Sequence, residues 1–233
     1  MTALGDTVKI TPAGVRRGLR DILPISLYGV PLGIAFSVAA SEAGLAPHLS
    51  LVMSALVFAG ASQFAALELW SAPLAWIPLL LVVFAVNARH ILLGAALYPW
   101  MRGLPLGQRH LAAALISDAN WAYAIDAHGK GERDLGVLVG SGAMMWTGWV
   151  FGTLIGAGFS ERLIAPEALA LDTLMVTFFA TVLVGLARER GVLWPWLAAA
   201  GVALAAQEYL PPGWHILAGG LAGGLVGAAL HGR

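Results

Sequence analysis

Stretches without a single Asp, Glu, Lys or Arg run over 22–41, 43–67, 69–88, 135–160 and 209–232. Each holds at least the roughly 20 residues that an α-helix needs to cross a hydrocarbon core about 30 Å thick. Taken between polar breaks, the apolar segments are 22–40, 49–70, 73–98, 111–127, 135–158, 169–187, 193–208 and 214–230. A chain of 233 residues could not bury so much apolar surface in one soluble core. The pattern predicts an all-α polytopic membrane protein with about seven to eight transmembrane helices, some of them discontinuous. Residues 22–230 read as a single transmembrane domain, because no soluble domain or linker fits between segments this closely spaced. The polar stretch 1–21 reads as a cytoplasmic N-terminal segment. The apolar run after it exceeds the roughly 7–15 residues of a signal-peptide core, and Ser37–Ser41 is only faintly cleavage-like, so the first span is expected to be retained.

Composition sharpens this picture. Hydrophobic residues make up 59% and charged residues 11%, against about a quarter charged in an average soluble domain, and the mean hydropathy is +0.80. A soluble enzyme and a nucleic-acid binder are excluded, and the absence of cysteine argues against a secreted disulfide scaffold. Thirteen basic residues balance thirteen acidic ones, so the informative quantity is the sidedness of Lys and Arg. With eight crossings and the N-terminus inside, Lys9, Arg16, Arg17, Arg20, Lys130, Arg133, Arg188, Arg190 and Arg233 collect on the cytoplasmic side. Only Arg102, Arg109 and Arg162 then lie outside, with Arg89 inside a span. If 49–70 is instead re-entrant, the split falls from nine against three to seven against five. The positive-inside rule therefore prefers eight crossings.

Polar groups and backbone breaks at membrane depth are costly and mark candidate chemistry. In the first span, Tyr28 lies among Pro24, Gly29, Pro31 and Gly33; Pro31 produces either a packing kink or a discontinuous helix whose freed backbone binds substrate. In the second segment, Gly60, Ser62 and Gln63 sit centrally, where a break would aim N–H groups at an anion. The third carries Asn87, Arg89 and His90. On a regular helix Asn87 and His90 share a face while Arg89 points nearly the opposite way, so all three line one cavity only if the helix is irregular. Arg89 stays charged and needs a carboxylate, a substrate or helix-terminal carbonyls. The fourth holds Ser117, Asp118 and Asn120, with Asp118 the deepest acid and the best candidate to carry a proton or bind an ammonium group. Asp172, near the start of the sixth segment, is either a second proton site or a first-turn carboxylate favoured by the helix dipole. Trp146 and Trp149 either pack or wall a cavity. The glycine pairs Gly219-Gly220 and Gly223-Gly224 allow close approach of another helix, internal or foreign.

Together, Gly60-Ala61-Ser62-Gln63-Phe64, Val86-Asn87-Ala88-Arg89-His90 followed by Gly94, the Ser117-Asp118 stretch and Ala170-Leu171-Asp172 resemble the AzlC family, the large subunit of two-component branched-chain amino acid exporters. The likeness extends in order over about residues 12 to 230. It implies a multi-pass carrier of the bacterial inner membrane that works with a small hydrophobic AzlD-type subunit and exports branched-chain amino acids, sometimes methionine. Family members commonly carry a second acid directly after the fourth-segment acid, where this chain has Ala119, and often an aromatic after the sixth-segment acid, where it has Thr173. Substrate binding is expected from Tyr28, Gly60, Ser62, Gln63, Asn87, Arg89 and Asn120, and proton coupling from Asp118, His90 and Asp172. No cofactor, metal or nucleic acid is expected. No Walker A sequence is present, so the energy source is an ion gradient or a separate protein. The alternatives are a passive channel and an intramembrane hydrolase built on Ser141 and His90.

Overall fold

The computed structural model describes residues 8–70, 73–159, 193–210 and 214–231. Three stretches are long and apolar enough to span a membrane. These are α1 (Pro12–Glu42), the continuous pair α4 (Trp76–Asn87) and α5 (Arg89–Met101) with a kink at Ala88, and α8 (Gly136–Phe159). Shorter helices are α2 (Pro47–Leu56), α3 (Gly60–Leu67), α6 (Leu106–Ala114), α7 (Asp118–Gly129), α9 (Leu193–Ala206) and α10 (Trp214–His231).

Helix α1 begins with Thr11 as N-cap, its hydroxyl accepting the Gly14 N–H at 3.1 Å, and Pro12 in the first turn. It then runs as one helix through both Pro24 and Pro31. The break allowed for at Pro31 does not form, because α1 is held along its length against α8. The two helices lie parallel at backbone contact. A Cβ added to Gly18 would lie 2.3 Å from the Val137 carbonyl oxygen, one on Gly152 2.2 Å from that of Val30, and one on Gly156 2.8 Å from that of Ile34. Only glycine admits that approach. Asp134 fastens the two starts together: its carboxylate accepts the Thr11 N–H at 3.0 Å, the Thr11 hydroxyl and the Gly136 N–H at 2.8 Å.

Segments 49–70 and 111–127, expected to cross, instead form hairpins of half-helices. Helices α2 and α3 have 10 and 8 residues, and α6 and α7 have 9 and 12. At 1.5 Å per residue these reach only about 12–18 Å each. Around the first hairpin, Phe36 meets Phe64 edge-on at 5.7 Å, Ser50 lies 3.4 Å from Ser37, and Trp70 packs on the cluster holding Ala40 and Leu45. Residue 70 has therefore returned to the side on which α2 began. The second hairpin enters from the opposite side. Leu104 before it and Leu135 after it share one cluster, Trp100 Nε1 donates to the Arg133 carbonyl at 3.3 Å, and Trp100 stacks on His128 at 4.4 Å.

This topology moves Arg102 and Arg109 to the face where α1 begins, beside Lys9, Arg16, Arg17, Arg20, Lys130 and Arg133. Among the described residues every Lys and Arg except Arg89 then gathers toward one face. The charge asymmetry is sharper than eight crossings gave.

Candidate functional site

The two hairpin tips and the kink at Ala88 meet between α1 and α8. A cavity of about 250 Å³ opens there, lined by Tyr28, Gly29 and Leu32 of α1, Phe58 to Ala61, Arg89 and His90, Ser117 to Ala119, and Met145 and Trp149 of α8. Arg89 Nη1 lies 3.1 Å from Asp118 Oδ2, with side chains 31% and 59% exposed. The depth charge of the third segment has its carboxylate, supplied by the fourth. Arg89 Nε is buried without a partner among the described residues.

Two helices start at this cavity, α3 with Gly60 and Ala61 and α7 with Asp118 and Ala119. Their first N–H groups have no acceptor within the helix, and each N-terminus carries about half a positive charge. Asp118 is the single acid on the wall, facing Arg89 and both helix starts. Such a wall suits a zwitterion, with cationic ends for a carboxylate, one acid for an ammonium group, and Ile25, Leu32, Phe58, Met145 and Trp149 for an apolar side chain. Trp149 is fixed by Phe36 at 6.0 Å and Phe64 at 6.3 Å, ring centre to ring centre.

Asn120, Ser62 and Gln63 lie outside the lining. Asn120 is fully buried and holds the second hairpin's tip closed: its Oδ1 accepts the Ser117 N–H at 2.6 Å and hydroxyl at 3.0 Å, while Nδ2 donates to the carbonyls of Leu115 at 2.8 Å and Leu138 at 3.3 Å. The Ser62 hydroxyl donates to the Ala59 carbonyl at 2.9 Å. Gln63 Nε2 donates to Ser54 Oγ at 3.2 Å, which lies 2.9 Å from Thr153 Oγ1, a buried chain tying the first tip to α8. Asp172 lies outside the described residues.

Asn87 lines a neighbouring cavity of about 450 Å³ with Ala55, Leu56, Phe58, Ala59, His90, Ala113 to Ile116 and Trp146. His90, Phe58 and Ala59 belong to both cavities. His90 Nδ1 lies 3.2 Å from the Asn87 carbonyl oxygen; that oxygen only accepts, so Nδ1 is the donor of this hydrogen bond. Arg89 and Asn87 line different cavities, as the spacing of a helix dictates, and His90 lies between. Trp146 and Trp149 do wall cavities, one each, whereas Phe58 and Met145 carry no polar signal and apolar spacing alone could not single them out. One clue was present: in α8 glycines recur at 136, 140, 148, 152 and 156, marking the face against α1 and so the side on which Met145 and Trp149 sit.

The AzlC protein family matches residues 24–163, which include every residue lining either cavity. The chain belongs to this family. Among AzlC relatives, the inner membrane protein YgaZ of Escherichia coli K12 is 30% identical over 183 residues, covering 75% of this chain and 74% of the relative. A membrane protein of Archaeoglobus fulgidus is 30% identical over 149 residues, 64% of each chain. One from Helicobacter pylori J99 is 25% identical over 145 residues, 60% of this chain and 64% of the relative. No solved structure matches.

Proposed function

We propose that the chain is the large subunit of a two-component secondary transporter that exports branched-chain amino acids, with methionine as a further substrate, in exchange for protons. What carries this is the Arg89–Asp118 pair at the meeting point of two opposed hairpin tips inside a mostly apolar cavity. The zwitterion inserts between the two charges. Its carboxylate takes Arg89 and the N–H groups of Gly60 and Ala61, and its ammonium takes Asp118. A proton on Asp118 removes the ammonium's partner, so proton and substrate exclude each other, as exchange requires. The aliphatic side chain rests on Leu32, Met145 and Trp149. Such a wall separates side chains differing by one methylene by only about 1–3 kcal/mol, which accounts for a range of related substrates. One proton moving inward per zwitterion is driven by about 2.3 kcal/mol per 100 mV, enough for a gradient of roughly fifty-fold at about 1.4 kcal/mol per tenfold.

The orientation that fits is a multi-pass protein of the bacterial inner membrane with its N-terminus in the cytoplasm, supported by the basic face that includes Lys9, Arg17, Arg102 and Arg133. Hydrolysis finds less support: Ser141 is buried and its hydroxyl donates to the Leu138 carbonyl of its own helix at 3.0 Å, while His90 faces the cavities.

The test is efflux of labelled valine from loaded proteoliposomes, with and without an imposed pH gradient. Wild type with its small subunit should respond to the gradient, and Asp118→Asn should insert normally and lose that response. Gradient-accelerated efflux in Asp118→Asn would move the coupling site elsewhere, and a wild type indifferent to pH would favour a passive channel.

A further inference from the structure

Two helix ends converge on the second cavity. Ala55 and Leu56 finish α2, Ala113 and Ala114 finish α6, and all four line the chamber with Asn87, which lies within the continuous α4–α5 stretch. The last carbonyls of a helix lack donors, and a C-terminus carries about half a negative charge. Two half-helices ending at one chamber therefore supply roughly one negative charge.

Some of those acceptors are already used. The Ala55 carbonyl takes Trp146 Nε1 at 3.0 Å, that of Leu115 takes Asn120 Nδ2, and those of Ala112 and Ala113 take the turn closing α6. The carbonyls of Leu56 and Ala114 have no hydrogen-bond donor among the described residues. A second, independent feature points the same way: the side-chain oxygen Asn87 Oδ1 is buried with no partner among the described residues. The His90 ring also lines the chamber, its Nδ1 lying 3.2 Å from the Asn87 carbonyl oxygen. No Asp, Glu, Lys or Arg lines the chamber. Neutral oxygens with a summed charge near minus one match a monovalent cation. A divalent ion is normally held by carboxylates as well.

We propose that the second cavity is a binding site for one monovalent cation, held by Asn87 Oδ1 and the open carbonyl ends of α2 and α6, with His90 between it and the Arg89–Asp118 pair. The cation is either a free inorganic ion such as Na⁺ or an organic ammonium group. Both use the same acceptors, and half-helix ends of this kind serve that role generally. The site does not depend on which amino acid is carried, so its test needs no transport.

The full chain in lipid nanodiscs is equilibrated with ²²Na⁺ at constant ionic strength in choline chloride, and separately with isobutylammonium as competitor. Saturable binding of one Na⁺ per chain is expected, weakened at least tenfold in Asn87→Leu and tightened in Asn87→Asp, which places a formal charge beside the ion. If Na⁺ does not bind but labelled isobutylammonium does, with the same loss in Asn87→Leu, the site stands and its ligand is an ammonium group. Should Asn87→Leu fail to fold, Ala114→Leu, which fills the chamber, must give the same loss. Absence of saturable binding for both probes overturns the site, as does binding that neither Asn87→Leu nor Ala114→Leu weakens.

Discussion

At Gly60 an added Cβ would lie 2.7 Å from the Trp149 ring, which the phenyl rings of Phe36 and Phe64 hold in place. Gly60→Ala therefore either pushes the indole into the cavity or displaces the start of α3, at a cost of about 1–3 kcal/mol. A lower Tm and a shifted Trp emission in the purified protein should both appear, with export reduced further than stability. Arg89 is the second residue whose size and shape both count. Its guanidinium reaches Asp118 and offers further donors to a substrate carboxylate, whereas an ammonium is a compact point charge. Arg89→Lys should express normally and lose most valine efflux; normal efflux would make the pairing with Asp118 dispensable. The need of Arg89 for a partner was legible in the sequence, because a permanent charge at membrane depth must be answered; that the partner is Asp118, and not a substrate or helix-terminal carbonyls, was not. Nor was the direction of Ser62 and Gln63. Their polarity marks the hairpin tip, yet one side chain bonds its own turn and the other Ser54, and nothing in residue type distinguishes a group facing substrate from one facing a neighbouring helix.

Half-helices explain why two segments pass for crossings in a hydropathy profile. Two apolar arms of about ten residues sum to the length of one span, and the turn between them, Val57-Phe58-Ala59 or Leu115-Ile116-Ser117, is itself mostly apolar. The polar signals that do mark the tips, Ser62-Gln63 and Ser117-Asp118, are equally expected of a substrate site inside a full span. Lys and Arg carried the missing information in combination: making either hairpin alone re-entrant changes the side of all later loops, and only both together gather Arg102 and Arg109 with the other basic residues. The chain has no cysteine, so single replacements are clean reporters. Gly103→Cys and Gly129→Cys should be labelled by a membrane-impermeant maleimide from the N-terminal face, and His48→Cys from the other; labelling of the Gly103 and His48 positions from one face would contradict the hairpins. Asn120→Ala removes the clamp on the second tip and should loosen Asp118 from Arg89, raising the substrate concentration needed for half-maximal efflux.

Across the whole molecule, the starts of α1 and α8 are joined through one carboxylate outside the membrane. Burial pushes the Asp134 carboxyl up, but hydrogen bonds from the Thr11 hydroxyl, the Thr11 and Gly136 N–H groups and the Arg17 charge outweigh it and hold the pKa below its ordinary value of 3.8. A depressed folded-state pKa stabilises the fold fully above the unfolded value, and the benefit is lost as pH falls through the folded one. Tm should therefore decline below about pH 4 in wild type, and Asp134→Asn should start lower, by about 0.5–2 kcal/mol as for a lost helix cap, with a flatter acid limb. At the other end of the chain, Gly219 and Gly223 of α10 approach α9 at the carbonyls of Ala199 and Pro195, 2.6 and 2.8 Å from an added Cβ, while Gly220 and Gly224 meet nothing within 4 Å. If that open face seats the small subunit, Gly220→Leu and Gly224→Leu should weaken co-purification without lowering the Tm of the isolated chain.

The glycine contact between α1 and α8 also decides what can move. Where carbonyl oxygens of one helix lie in the space a methyl group would fill on the other, there is no layer of side chains to re-pack, and sliding would drive backbone into backbone. The pair is the stator of the machine. Each hairpin meets it through side-chain hydrogen bonds, Trp146 to Ala55, Ser54 to Thr153 and Ser37 to Ser50 on one side, Asn120 to Leu138 and Tyr123 to Asp21 on the other. If the proposed exchange exposes the Arg89–Asp118 pair to the two faces in turn, the α1–α8 pair is the part that stays fixed while the hairpins move.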